Sequence, residues 1–390
     1  MLLTSLPFLV FYSRKVFTVY FCVPMRIGVI HHSDDVSNDY AAYVAALIDS
    51  TAEENGYTIN DYEQLLRFRE PLKSENAFLH IIIPSAKRFS MRYWYNKKLP
   101  RIAKKYGLDK LICSYGIGVH SDIQQMLLFP ETDILQQENK LLLWQAYAAK
   151  NLQKSIESAA AVITYSNLAR EKLENATTIN PQKTFILPYS VNELFQPMEW
   201  HDKLYIKSRF SQNTEYFVAV LPDNDEKNFV ELLKAFSKFK KWQQSGMQLL
   251  LLPKEEGFSS TIENKLDSYK YKNDVKLIND ADNKETANII ATAYALLHIT
   301  TKDSDLWPVS AALQCGTPVL AYYTESMQEY CGEAGLFVKE RNHESFGDHL
   351  IMLYKDETLR NKMSEAAAEK TKLYNQKDHA EKLWQLVKQA

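Results

Sequence analysis

From residue 25 onward the apolar positions of the chain follow two alternating rhythms. Short runs dense in Ile, Val and Leu are separated by longer stretches in which apolar residues return every three or four positions. The runs "RIGVIHH" (26–32), "FLHIIIP" (78–84), "DKLICSYG" (109–116), "QQMLLFP" (124–130) and "AAVITYS" (160–166) have the length and composition of buried strands. Between them, 39–56, 90–107, 140–159 and 167–176 carry helical spacing, the first ended by Gly56. "KTFILPYSVNELFQPM" (183–198) closes this half with a strand and a proline-flanked loop, and the polar stretch 199–215 reads as a linker. The alternation resumes with strands at 216–222, 247–253, 275–278, 294–301 and 318–323, and helices at 229–246, 260–272, 284–293 and 308–316. No internal repeat or low-complexity tract interrupts it.

Strand–helix alternation with short connections predicts parallel sheets covered on both faces. The expected fold class is therefore α/β, with two Rossmann-like doubly wound domains facing a cleft. The first spans 25–198 and the second 216–375, with a C-terminal helix over 376–390 packing back on the first domain. Ligands of such sheets sit outside the carboxyl ends of the strands, so the cleft between the halves is the expected site.

Composition narrows this picture. A chain of 390 residues is too long for one ordinary core, and 46% apolar with 24% charged residues is the balance of a globular protein. A net charge of −2 gives no general attraction for polyanions, so no nucleic-acid partner is expected. The four cysteines, Cys22, Cys113, Cys315 and Cys331, are far apart and include no C-x-x-C pair. That argues against a disulfide framework and a zinc site, and for a reducing, cytoplasmic setting. Glycine is scarce, 11 residues in all against a usual ~7%. Phosphate-cradling loops need bare backbone, so the scarcity weighs against a standard phosphate loop. Residues 1–24 are apolar but broken by Arg14 and Lys15. Neither half reaches the ~20 residues that span a bilayer, and the charge order is not that of a signal peptide. They read as an upstream extension outside the fold, with a membrane anchor as the alternative.

Four segments carry a resemblance to a known family. "AAAVITYSNLAREKL" (159–173) looks like a strand–Ser–helix segment, and "ILPYSVNELFQP" (186–197) resembles an interdomain loop of the form I-P-N-G-V-D…F-x-P. "FVAVLPDNDEKNFVELLKAFSKFK" (217–240) resembles the segment around a Lys-Asn or Lys-Gly pair. "TTKDSDLWPVSAALQCGTPV" (300–319) resembles E-G-F-G-L-P-x-x-E-A-M-A-C-G-T-P-V, with "EYCGEAGLFV" (329–338) following. Together they resemble the retaining, family-4-type (group 1) glycosyltransferases of the GT-B architecture, with degenerate motifs.

That resemblance implies sugar transfer from a nucleotide-diphosphate sugar to a glycan or lipid-linked acceptor, with retention, no metal and no further cofactor. The leaving diphosphate needs cations or backbone N–H groups, and the sugar and ribose need acceptors for their hydroxyls. In the family a basic pair, a helix N-terminus and two glutamates fill these roles. Lys227, beside Asn228, stands at the diphosphate lysine; the alternative is a solvated loop lysine. The partner arginine is missing, no arginine occurring between Arg209 and Arg341. Asp303 replaces the first glutamate and Ala311 the second. Asp303 and Lys227 are thus the catalytic candidates, and Ser304, Trp307, Val309 and Ser310 join them around a helix start whose amides can receive phosphate. On the acceptor side the candidates are Asp34 and Asp35 in the glycine-free loop after the first strand, Glu131 by position, and His120 in "GVHSD". "KRFSMRYWYNKKLPRIAKKYG" (87–107) is either a basic solvent face or a peripheral contact with the inner face of a membrane. The eroded signature leaves a second function open, an inactive pseudo-glycosyltransferase acting as a binding or scaffold subunit.

Overall fold

The computed structural model describes residues 24–32, 39–72, 74–83, 88–114, 116–129, 135, 143–221, 226–254, 258–300, 305–371 and 376–389. In the first lobe, strand β1 (Arg26–His32) leads to helix α1 (Asp39–Ala52), β2 (Thr58–Asp61) to α2 (Tyr62–Phe68), and β3 (Ala77–Ile83) to α3 (Arg88–Tyr93). Helix α3 runs through a π turn (Trp94–Lys98) into α4 (Leu99–Tyr106). Then come β4 (Lys110–Cys113), β5 (Gln124–Phe129), α5 (Leu143–Ser158), β6 (Ala161–Thr164), α6 (Asn167–Ala176) and β7 (Thr184–Ile186). Among the described residues, seven strands form one parallel sheet in the order β2-β3-β1-β4-β5-β6-β7.

The second lobe follows α7 (Trp200–Phe210), the helix into which the polar stretch 199–215 largely folds. It comprises β8 (Tyr216–Leu221), α8 (Glu226–Gln243), β9 (Gln248–Pro253), α9 (Ser260–Asp267), β10 (Val275–Leu277), α10 (Asn283–Thr292), β11 (Ala295–His298) and α11 (Trp307–Gln314). After these come β12 (Val319–Tyr322), α12 (Glu325–Cys331), β13 (Gly335–Val338), α13 (His343–Lys355), α14 (Glu357–Thr371) and α15 (Gln376–Gln389). The six described strands pair in parallel in the order β10-β9-β8-β11-β12-β13. Two parallel sheets, each clothed in helices, give the α/β GT-B architecture.

Local chemistry explains several boundaries. The side chain of Asp282 accepts from the Glu285 amide while Glu285 reaches back to the Asp282 amide, a reciprocal cap that starts α10. Pro100 lacks an N–H, yet the helix passes it unbroken. The Leu99 amide reaches back to Trp94 O, a π-type bond that takes up the irregularity. Strands β8 and β9 are buried almost throughout, as parallel strands covered on both faces must be.

Packing divides into three apolar clusters. One lies in the first lobe between the sheet and helices α4 and α5, and one in the second lobe against α8 and α13. The third is continuous through both lobes, running from Ile27 and Tyr43 through Tyr189 and Phe195 to Val309, Leu313 and Trp384. Helix α15 completes it by crossing back to the first lobe. Trp384 Nε1 donates to Thr51 Oγ1 at 2.8 Å, and Lys110 Nζ donates to the carbonyl of Val387 at 2.7 Å.

One charged contact ties helix to helix across the lobes. The Glu329 carboxylate of α12 accepts from the amides of Asn167 and Leu168, at 2.8 and 2.9 Å, at the start of α6. An anion there satisfies orphan donors and complements the helix dipole. Replacing Glu329 by Ala is expected to cost about 1–2 kcal/mol in urea unfolding, with Glu329→Gln falling between that variant and the wild type.

Candidate functional site

The strand order of the second lobe locates the crevice. The chain steps from β8 outward through β9 to β10, then returns to β11 on the other side of β8 and steps outward again to β13. The order reverses between β8 and β11, and ligands of open α/β sheets bind outside the carboxyl ends at such a switch point. An ion pair crosses this spot. Lys254 directly follows β9, and its amide continues the ladder by donating to Leu221 O at 2.9 Å. Its Nζ lies 2.8 Å from Asp305 Oδ1, with side chains only 15% and 7% exposed. Asp305 follows β11, so the pair bridges over the carboxyl end of β8.

His298, the last residue of β11, completes a buried polar group. It is 2% exposed, and its Nε2 has no hydrogen-bond partner among the described residues. Burial lowers its pKa; Asp305 pulls the other way and Lys254 adds to the lowering. The imidazole is therefore held neutral between an ammonium and a carboxylate. Helix α11 starts immediately after Asp305. Its cap, Leu306, offers no side-chain hydrogen bond, and Pro308 in the first turn removes one donor, leaving the amides of Trp307 and Val309 without intrahelical acceptors.

The remaining candidates fall into separate places. Lys227 is exposed in the first turn of α8, the next described element after β8, which begins at the carboxyl edge of the sheet. Asn228 beside it is half-buried and engaged. The ring of Trp307 is half-buried, seated edge-on against Phe195 of the interlobe segment with centroids 5.8 Å apart. Val309 is fully buried in the shared core. Ser310 was expected to face a nucleotide, but its hydroxyl is spent between the lobes. It lies 3.1 Å from Tyr189 O and 2.5 Å from Tyr330 Oη, which itself donates to Tyr189 O. His120 stands near the amino end of β5, bound to Lys154 Nζ at 3.3 Å, on the side of the strand away from its carboxyl, ligand-binding end. Asp303, Ser304, Asp34, Asp35 and Glu131 lie outside the described residues.

With this geometry in view, comparison with known proteins is informative. Residues 202–370 match the family described as glycosyl transferases group 1. No curated protein matches the sequence. Among solved structures, the chain resembles a glycosyltransferase from Rickettsia africae, at TM-score 0.66 and 15% identity over 94% of this chain and 99% of that one. Sucrose-phosphate synthase from Thermosynechococcus elongatus aligns at TM-score 0.68 and 16% identity, covering 94% and 98%. Anabaena HepE in complex with UDP aligns at 0.66 and 12%, covering 94% and 100%. At these identities the likeness is one of fold.

Within the matched stretch the two acidic positions of the family pattern have different fates. Asp303 belongs to the segment outside the described residues, whereas Ala311 is completely buried among core side chains. A carboxylate at 311 would enter apolar packing rather than open space, which is costly for an unpaired charge. The matched stretch also holds three residues that the motif comparison passed over: Lys254, His298 and Asp305. Each had a visible signal, being the first polar residue at the end of an apolar strand ("LLLLPK", "ALLH") or the acid preceding a helix-opening "LWP". Only the sheet order shows that they converge.

The buried imidazoles make stability depend on pH. The unfolded chain binds a proton on His298 near the usual 6.5, and the folded chain resists it. Its contribution is complete above that value and is lost as pH falls below it. His31, lowered to about 4 chiefly by burial, adds to the same slope over the window from 6.5 down to 4. The thermal midpoint is expected to drop between pH 7 and pH 5, and His298→Gln to flatten that drop.

Proposed function

We propose that the protein transfers a sugar from a nucleotide-diphosphate donor to a glycan or glycolipid acceptor, with retention of configuration and without a metal or cofactor. The observation that carries this reading is the Lys254–Asp305 pair lying over the switch point beside the start of α11. Breaking the anomeric C–O bond leaves charge on the diphosphate, and a site with ready cations and amides stabilises that charge. Lys254, directly after β9, supplies an ammonium in place of the missing family arginine, and Lys227 supplies a second at the start of α8. The amides of Trp307 and Val309 add fixed dipoles. Asp305 holds Lys254 in place until an anionic donor competes for it, and Asp303 receives a sugar hydroxyl. The likeness to HepE in complex with UDP and with UDP-glucose supports a uridine-nucleotide donor as the first to try.

A cationic face supports action at a membrane surface. Between residues 88 and 107 the sequence has no acid, and Arg92, Lys97, Arg101, Lys104 and Lys105 are exposed while Leu99, Ile102 and Tyr106 turn inward. Among the described residues no helix is long and apolar enough to cross a bilayer. We place the protein in the cytoplasm, touching the inner leaflet through this face. It is expected to sediment with vesicles rich in anionic lipid at low salt and to be released by added salt.

A second reading, a binding or scaffold subunit that no longer transfers sugar, is favoured by the buried Ala311 and by the carboxylate that already occupies Lys254. Calorimetry with UDP and GDP, followed by donor turnover, decides between them. Binding that weakens about tenfold or more, the ~1.4 kcal/mol of a lost charged contact, in Lys254→Met supports the diphosphate site. Absence of binding at millimolar nucleotide removes it, and binding without turnover of any donor favours the scaffold.

A further inference from the structure

The amino ends of β8, β11 and β12 lie side by side, at the edge of the second sheet that faces away from the crevice. Glu215, Tyr294 and Pro318 stand just before the three strands. Backbone bonds lock these rows together: the Tyr294 amide donates to Tyr216 O and the Leu296 amide to Pro318 O, both at 2.8 Å. Helices α7 and α14 flank the edge, and a cavity of about 230 Å³ opens between them and the strand ends. Its wall carries three cations, Lys203, Lys207 and Arg360, against one acid, Glu215.

The acid does not neutralise the group. Glu215 is already paired with Lys207, Oε1 to Nζ at 2.5 Å, and its side chain is 49% exposed. Arg360 has Glu357 three residues before it, but 3.8 Å away and 79% exposed. Among the described residues the Lys203 ammonium has neither an ion pair nor a hydrogen bond. Lys203 stands four residues before Lys207 on α7, the spacing at which like charges on a helix repel. Burial holds its amine below the usual lysine range, Lys207 and Arg360 lower it further, and Cys315 and Glu215 pull the other way. The Arg360 guanidinium is seated over the ring of Tyr294, 4.1 Å from its centroid. A merely solvated basic face would splay outward, yet Lys207 is only 11% exposed and Arg360 24%. Cations gathered under partial burial cost stability unless an anion joins them.

We propose that this cavity binds phosphate, free or as the terminal group of a small phosphomonoester. Lys203 and Arg360 hold it from two helices, and Asn361 and Ser364, which also line the cavity, add neutral donors. The planar guanidinium suits two phosphate oxygens at once, and the ammonium adds a point charge. Three cations against one acid leave an excess that a phosphate dianion cancels. Bound phosphate joins α7, the helix leading in from the first lobe, to α14 of the second. The crevice lies at the other end of the same strands, so this site does not rest on the sugar-transfer reading.

Thermal unfolding and calorimetry of the full chain in phosphate-free buffer test the site. Sodium phosphate is expected to raise the thermal midpoint saturably, where sodium chloride at the same ionic strength does not. Lys203→Met and Arg360→Gln are each expected to weaken phosphate binding about tenfold or more, while Lys254→Met in the crevice keeps the wild-type response. Glycerol 3-phosphate separates the two sources: binding tighter than phosphate assigns an ester, and equal or weaker binding assigns the free ion. In ¹³C spectra of the lysine side chains, Lys203 should titrate at higher pH once phosphate is added, and a titration that does not move overturns the proposal without any variant. A midpoint that follows ionic strength alone, or a phosphate response that Lys203→Met and Arg360→Gln retain in full, also removes the site. So does a response abolished by Lys254→Met, which puts the phosphate in the crevice.

Discussion

The carbonyl of Tyr189 is the joint on which this molecule turns. It receives the hydroxyls of Ser310 and Tyr330, from two helices of the second lobe, at a point sealed from water. A buried carbonyl with two lone pairs is satisfied in few geometries, so the contact fixes the rotation of α11 against the interlobe segment as well as its distance. Neighbouring bonds extend the joint. Gln314 accepts from the Val191 amide and donates to Asn192 O, while Tyr43 holds Ser190 and His379. Helices α1, α11 and α15 therefore meet at one short segment, 189–192, and the crevice takes its shape from that meeting.

The joint also explains why the familiar motif is altered on its inner side. After Trp307, α11 is committed to packing all round: Pro308 to Gln314 are buried, Val309, Ala311, Ala312 and Leu313 completely. The helix start is where a pair of charges stands, Lys254 with Asp305. Lys254 directly follows β9. The counter-charge that keeps a lysine tolerable in so closed a place is Asp305. His298 sits beneath them as a neutral ring, too buried to bear a charge of its own beside Lys254.

The first lobe adds a different chemistry. Its sheet carries two histidines where apolar residues would pack with fewer demands, and they are satisfied only in series, from Asp49 outward to His31. The Lys254–Asp305 pair of the second lobe and the imidazoles of the first both lie toward the carboxyl ends of their strands, the ends that parallel sheets leave open.

Much of this was legible along the chain. Apolar runs of strand length alternating with helical spacing dictate parallel sheets, because each run must be covered on both faces, and the two-lobe α/β architecture follows. Lys227 at the opening of α8 and Pro308 at the opening of α11 were legible too, since local backbone rules place them. The helix within 199–215 was not, because its apolar contacts are few and its polar residues conceal the period. Nor were the partnerships that matter most. Lys254 with Asp305, His31 with His80 and Ser310 with Tyr189 are separated by 51, 49 and 121 positions. Strand order and lobe docking alone bring such residues within hydrogen-bond reach, and neither is written in local pattern. Sequence determined which segments are strands and helices; tertiary structure decided which polar side chains serve the joint and which are left for chemistry.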